Sequence, residues 1–330
     1  MSHSNRSATG ARGAAVPLAG VLAGALALAL TAALPACTSP AGPSAASADT
    51  RQATTTVTTA APRSIVVFDH GTLDTLHTLG VDSVAGIAKA GLPPYLASYA
   101  DEARYPRAGT LFEPDEAAVR ALAPDLIIVG RRAAGKLDAM QRIAPAIDLS
   151  VPPGDLVQGV AANARRLATI VHKEKVAEPL VRHLEDSART LRERMRGQGT
   201  ALVVLTVGGK IIAMPPGPRF GAIYETVGLS PLALDWKEGE RGKPVTPDLL
   251  RERNPDWLFV IDRDTAIGKD GATPARELIE RDSFRQSKAW QQNHVVYLDP
   301  VDWYILDAAG LTSLQRGLDA ISAALDRSPR

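Results

Sequence analysis

The chain has 330 residues, 37 Lys and Arg against 36 Asp and Glu, a formal net charge of +1 and one cysteine. That length can bury the cores of two lobes or domains. The balanced charge leaves no electrostatic footprint for nucleic acid, and a lone cysteine excludes an internal disulfide.

Residues 1–36 read as a targeting leader, with Arg6 and Arg12 ahead of the apolar run "AAVPLAGVLAGALALALTAALPAC". The run is too short and too interrupted for a convincing membrane span. It ends at the sole cysteine, Cys37, and "LPAC" resembles a bacterial lipoprotein cleavage site, with Pro35 an unusual middle residue. An ordinary signal peptide followed by an incidental cysteine is the alternative. On the lipoprotein reading, two acyl chains on Cys37 anchor the protein stably, at about 0.8 kcal/mol per buried CH₂. Residues 37–63, "CTSPAGPSAASADTRQATTTVTTAAPR", hold nothing that forms a core and read as a flexible tether. Such a tether spans roughly 25–30 Å root-mean-square.

From Ser64 the pattern is α/β. "SIVVF" reads as a buried strand, "GTLDTLHTLG" as a helix closed by Gly80, and "DSVAGIA" as another strand. "EPDEAAVRALAPDLIIVGRR" then supplies an acidic helix start, a short amphipathic helix, a Pro-Asp break and an apolar strand with Arg131 at its carboxyl end. A first lobe over 64–154 follows. The stretch from Asp155 to Arg196 is helical, with Pro179 expected to kink it or begin a second helix. The expectation is a linker helix over 155–178 and a second lobe over 179–330. A long joining helix makes a stiff hinge that tilts by a few degrees rather than closing like a trap.

The second half repeats the order of the first: "TPDLLRERNPDWLFVIDR" again runs through Pro-Asp and a strand to an arginine, Arg263. Its spacing differs by one residue, so this is an echo and not a strict repeat. Alternating strands and helices imply mostly parallel sheets, whose ligands sit beyond the carboxyl ends of the strands. Between the arginines lies "PPGPRFG", where prolines and glycines hold Arg219 in a restricted loop. Each arginine taken singly also suits a salt bridge or a carbonyl cap. All three, drawn from both halves, point to one shared role.

Catalytic signatures are missing: there is no GxSxG, GxGxxG, P-loop or HExxH. His70, His77, His172, His183 and His294 are dispersed rather than clustered as metal ligands. Asp262 and Asp264 flank Arg263 and read as groups that orient it. No catalytic residue, cofactor or protein-held metal is expected.

"GTLFEPDE", "PDLIIVGRR", "PPGPRFGAIYETVG", "NPDWLFVIDRDTAIG" and "VVYLDPVDWYILDAAGLTSL", in this order over residues 64–330, resemble the ferric-siderophore-binding lipoproteins of bacterial ABC importers, the catecholate and petrobactin branch in particular. The resemblance implies two Rossmann-like lobes joined by a long helix, as in class III periplasmic binding proteins. It also implies a monomer, extracytoplasmic and anchored at the membrane through Cys37, that takes a ferric siderophore into a shallow cleft and delivers it to an ABC permease. Carried over residue by residue, the ligand-facing cations are Arg131, Arg219 and Arg263, and the iron is held by the siderophore. Some relatives also ligate iron through a His–Tyr pair. Tyr304 fills the tyrosine place and equally suits a half-buried aromatic beside Trp303. Arg241 stands at the histidine place and reads as a fourth cation. Permease docking carboxylates map to Asp248 in the second lobe and, with Ala117 at the matching place, to Glu116 or Glu113 in the first. A haem or corrinoid carrier of the same fold, and an extracytoplasmic hydrolase of siderophore esters, are the alternatives.

Overall fold

Apolar runs such as IVV, LIIV, TALVVLTV and WLFVID become the central strands of two sheets. The computed structural model describes residues 60–217 and 219–327. The leader, Cys37, most of the tether and Pro218 lie outside the described residues.

The first lobe runs β1 (Ile65–Val67), α1 (His70–Thr78), β2 (Val84–Lys89), β3 (Arg107–Thr110), α2 (Glu116–Ala121), β4 (Leu126–Val129), α3 (Leu137–Gln141) and β5 (Ala146–Asp148). Its five strands lie parallel in the order β3-β2-β1-β4-β5. β1 and β4 are buried at every position, as unbroken apolar runs in the middle of a parallel sheet must be. Side-chain caps start the helices: Asp69 accepts from the Thr72 N–H, and Asp115 from those of Ala117 and Ala118.

Two helices, α4 (Leu156–Ile170) and α5 (Glu174–Met195), follow. Pro179 does not begin the second helix; the break falls at residues 171–173. There His172 turns left-handed at φ 55°, and the Lys173 N–H closes on the Ala168 carbonyl at 2.8 Å. Pro179 lies inside α5, in its second turn. The 155–178 and 179–330 segments therefore do not meet at a helix end. Arg165 staples the two helices together, donating from Nε to Glu178 at 3.0 Å and from Nη1 to Glu185 at 2.9 Å.

The second lobe contains β6 (Thr200–Val207), β7 (Lys210–Met214), α6 (Ala222–Val227), β8 (Ser230–Pro231), β9 (Lys243–Val245), α7 (Pro247–Arg253), β10 (Trp257–Asp262), α8 (Arg263–Ala266), α9 (Ala275–Ile279), α10 (Lys288–Gln291) and β11 (Val295–Tyr297). Sheet order is β11-β10-β6-β7-β9, with β8 also paired to β6. β6, β10 and β11 are parallel, whereas β7 is antiparallel to both β6 and β9. The reversal comes from a two-residue turn, Gly208–Gly209, with φ of 58° and 73°. Positive φ at both positions is what a tight hairpin of this hand requires.

After a π-helical turn at Val301–Ile305, α11 (Leu311–Asp326) returns to pack on α1 and α5. One apolar core runs through both lobes. It joins the first sheet, α4, α5 and α11 to the Ala201, Val203, Trp257, Phe259 and Ile261 face of the second sheet. The alternate residues Leu202, Val204, Leu258 and Val260 face a separate cluster with Leu250, Ile279 and Phe284, as the two-residue period of a strand dictates. Among the described residues no helix is long and apolar enough to cross a membrane.

A cationic cleft as the candidate functional site

β4 and β10 are each followed by an arginine, Arg131 two residues after β4 and Arg263 directly after β10, and both strands point their carboxyl ends at one cleft of about 530 Å³. Its wall includes Lys89, Arg131, Arg132, Arg219 and Arg263 and no carboxylate. The first lobe supplies Lys89 at the end of β2 and the Arg131–Arg132 pair after β4. The second supplies Arg219, Arg263 and Tyr304.

Arg131 is set by Gly130, since a Cβ there would lie 2.1 Å from Asp69 Oδ2. Its Nε donates to Asp307 Oδ2 at 3.1 Å. Arg132 has only 7% of its side chain exposed. It crosses to the other lobe, donating to the carbonyls of Ile305 and Tyr304 at 2.9 and 2.6 Å and to Asp307 Oδ1 at 2.9 Å. Burial pushes its guanidinium below the ordinary arginine pKa, and the Asp307 charge works against that shift. Asp69, capping α1 nearby, is pushed above the usual carboxylate range by burial.

Arg219 sits at φ 69°, left-handed for a residue with a Cβ. Its Nε donates to Asp307 Oδ1 at 2.9 Å, and its guanidinium lies 4.2 Å from the Phe220 ring centroid and 4.9 Å from that of Tyr304. Arg263 opens α8. Its Nε donates to the Tyr304 hydroxyl at 3.0 Å and its Nη1 to Asp264 at 2.9 Å. Although burial works against it, Asp264 is held below the usual carboxylate range by the Gly208 N–H and by Lys269 and Arg263. Asp264 thus orients Arg263, while Asp262 caps α8 through the Thr265 N–H.

Phe112 from the first lobe and Ile267 from the second complete the rim, 60% and 43% exposed. The cleft therefore offers fixed cations, aromatic faces and an apolar lip. That combination suits a polyanion with aromatic parts. Among the described residues, no three His, Cys, Asp or Glu side chains gather as a metal site.

Arg131, Arg219, Arg263 and Tyr304 meet in this cleft. Arg241 does not line it and is exposed in the loop before β9. That loop is pinned elsewhere, by the Lys243 ammonium on the Leu234 and Asp235 carbonyls at 2.7 and 3.1 Å. Glu116 and Asp248 lie exposed in the first turns of α2 and α7, and Glu113 pairs with Lys136 at 2.6 Å. Sequence reasoning missed Lys89, Arg132 and Asp307. The doubled arginine of "VGRR" was the one visible hint.

Comparison with known proteins bears on the same region. The periplasmic binding protein family model matches residues 65–301. The petrobactin-binding protein YclQ of Bacillus subtilis is 36% identical over 270 residues, covering 81% of this chain and 83% of the relative. A TroA-like periplasmic binding protein of Xylanimonas cellulosilytica superposes with a TM-score of 0.73 at 34% identity, covering 80% of this chain and 89% of that one. The periplasmic catecholate-siderophore binding protein VctP of Vibrio cholerae superposes with a TM-score of 0.73 at 28% identity, covering 80% and 94%.

Proposed function

Because the chain belongs to the periplasmic binding protein family, whose members matched here are binding proteins rather than enzymes, we propose that it captures an anionic ferric siderophore of catecholate type for an ABC iron importer. The observation that carries this reading is a cleft walled by five cationic side chains and no carboxylate. A ferric tris-catecholate bears three negative charges and three aromatic rings. At 4 Å a unit charge pair contributes about 1 kcal/mol in water and about 4 at an effective dielectric of 20. A half-enclosed cleft lies between those limits. Arginine suits the task because it stays charged and offers a planar fork to catechol oxygens.

In this reading Cys37 is lipidated and residues 38–63 tether the binding body to the outer face of the membrane. Delivery uses the acidic starts of α2 and α7, with Glu116 or Glu113 docking one lobe on the permease and Asp248 the other.

The chain has four tryptophans, and the buried Trp303 directly precedes Tyr304, which lines the cleft, so iron binding is read as fluorescence quenching. Ferric tris-catecholate should quench saturably, be recovered intact, and bind more weakly as salt rises. A neutral ferric trihydroxamate should bind far less well. Equal affinity for the two complexes would sink the proposal.

A further inference from the structure

Among the described residues, Asp307 is the carboxylate to which three of the cleft arginines converge, and it is not part of the cleft lining. Its Oδ2 accepts from Arg131 Nε and Nη2, and its Oδ1 from Arg132 Nη2 and Arg219 Nε. Only 11% of its side chain is exposed. Arg131, Arg132 and Arg219 line the cleft, whereas Asp307 lines a smaller cavity of about 50 Å³ that shares Arg131 and Arg219 as wall. The carboxylate thus reaches the three arginines from the side of that second cavity rather than from the cleft wall.

Two features show that the fold is organised around this contact. Arg131 and Arg219 both spend their Nε edge on Asp307, just as Arg263 spends its own on Tyr304. Arg131 also gives Nη2 to Asp307, Arg219 gives Nη2 to the Tyr304 carbonyl at 3.3 Å and Arg263 gives Nη1 to Asp264, so among the described residues one outer nitrogen of each, Arg131 Nη1, Arg219 Nη1 and Arg263 Nη2, is left without a protein acceptor. The backbone is also held in left-handed conformations at both ends of the Arg219–Asp307 pair, with φ of 69° at Arg219, 54° at Asp307 and 50° at Ala308. Residues with a Cβ persist there only where the surrounding structure holds them. Without a counter-charge, guanidinium groups from the two lobes would repel one another before any ligand arrived.

We propose that Asp307 is a positioning residue for anion capture. It holds Arg131, Arg132 and Arg219 in their binding arrangement in the empty protein and stays bound to them in the complex. The role rests on the anion-binding reading above. The opposite role, an internal competitor that the ligand displaces, predicts the opposite sign.

Asp307→Asn keeps the shape and removes the charge. Simple charge counting says that the variant, one unit more positive, should bind a trianion more tightly. Positioning says that it binds ferric tris-catecholate more weakly, on the order of tenfold or more. In an Arg219→Gln background the same substitution should cost less, because one of the three groups through which it acts is gone. A ligand-free readout accompanies these. Hydrogen exchange at the Arg131 and Arg219 Nε–H groups, followed by nitrogen-15 NMR, should accelerate in Asp307→Asn, while that at Arg263 stays unchanged. Tighter or equal binding by the variant, additive losses, or unchanged exchange would overturn the proposal. Should Asp307→Asn fail to fold, Asp307→Glu keeps the charge but moves it by one methylene. It should bind more weakly than wild type, and equal affinity would overturn the proposal. If wild type does not take the ferric tris-catecholate, the functional reading falls, and the exchange experiment still decides the positioning role.

Discussion

At the scale of single residues, each cleft arginine is held by hydrogen bonds to groups of low exposure, and buried side chains lie behind them. His70 is one of them. It is fully buried, with Nε2 3.1 Å from the Ala88 carbonyl, and burial, helped by the charges of Arg132 and Arg107, lowers its pKa from 6.5 to about 4. The imidazole is therefore neutral in the fold, and Nε2 carries the proton donated to Ala88. Between about 4 and 6.5 the unfolded chain binds more protons at this site than the folded one, so stability rises with pH across that window. The contribution is complete above 6.5 and is lost as pH falls towards 4. His70→Gln keeps a donor for Ala88 and removes the titration. The stability of wild type relative to this variant should drop by up to about 3 kcal/mol between pH 7 and pH 4. Urea melts at both pH values measure it, and a difference that ignores pH would refute a neutral buried imidazole. Legibility in the sequence also divides at this scale. Arg131, Arg219 and Arg263 could be read because each closes an apolar run or sits in a proline-glycine loop. Asp307 could not, because "LDAAG" shows no partner: its arginines lie 176, 175 and 88 residues away.

Elements deliver those residues, and the β4–Gly130–Arg131 corner shows how little slack they have. The space that a Cβ at Gly130 would need is held by the Asp69 carboxylate, 2.1 Å away, and Asp69 in turn caps α1 through the Thr72 N–H at 2.7 Å. Gly130→Ala must push Asp69 off that cap or shift the end of β4. Either route should destabilise the protein by about 1–3 kcal/mol and weaken siderophore binding through Arg131. Gly135→Ala is the matched control, since nothing lies within 4 Å of a Cβ there. A Gly130→Ala protein that melts and binds like the control would contradict this account of the corner. Strands and caps were legible because period-two apolarity and Asp or Pro-Asp starts are local signals. The helix break was not. His172 takes the left-handed closing position that glycine usually marks, and Pro179 gave a false boundary because α5 forfeits a single N–H there and continues.

For the whole molecule, the question is whether capture requires the lobes to close. The apolar core is continuous through both. α11 returns from the second lobe to pack on α1 of the first, with the Ser313 N–H on Asp74 at 2.8 Å and Thr78 against Thr312 at 2.7 Å. Arg132 adds its bonds to the Tyr304 and Ile305 carbonyls across the cleft floor. A large rotation would have to break these buried polar contacts and open the shared core, which is costly. Affinity must then come from a site that is already assembled, which lowers the ordering cost of binding. Small-angle scattering of the protein with and without ferric tris-catecholate should give the same radius of gyration within error. Quenching should follow a single exponential whose rate rises linearly with ligand. A clear contraction, or a rate that saturates at high ligand, would mean that the lobes do swing and that the joining core is a hinge.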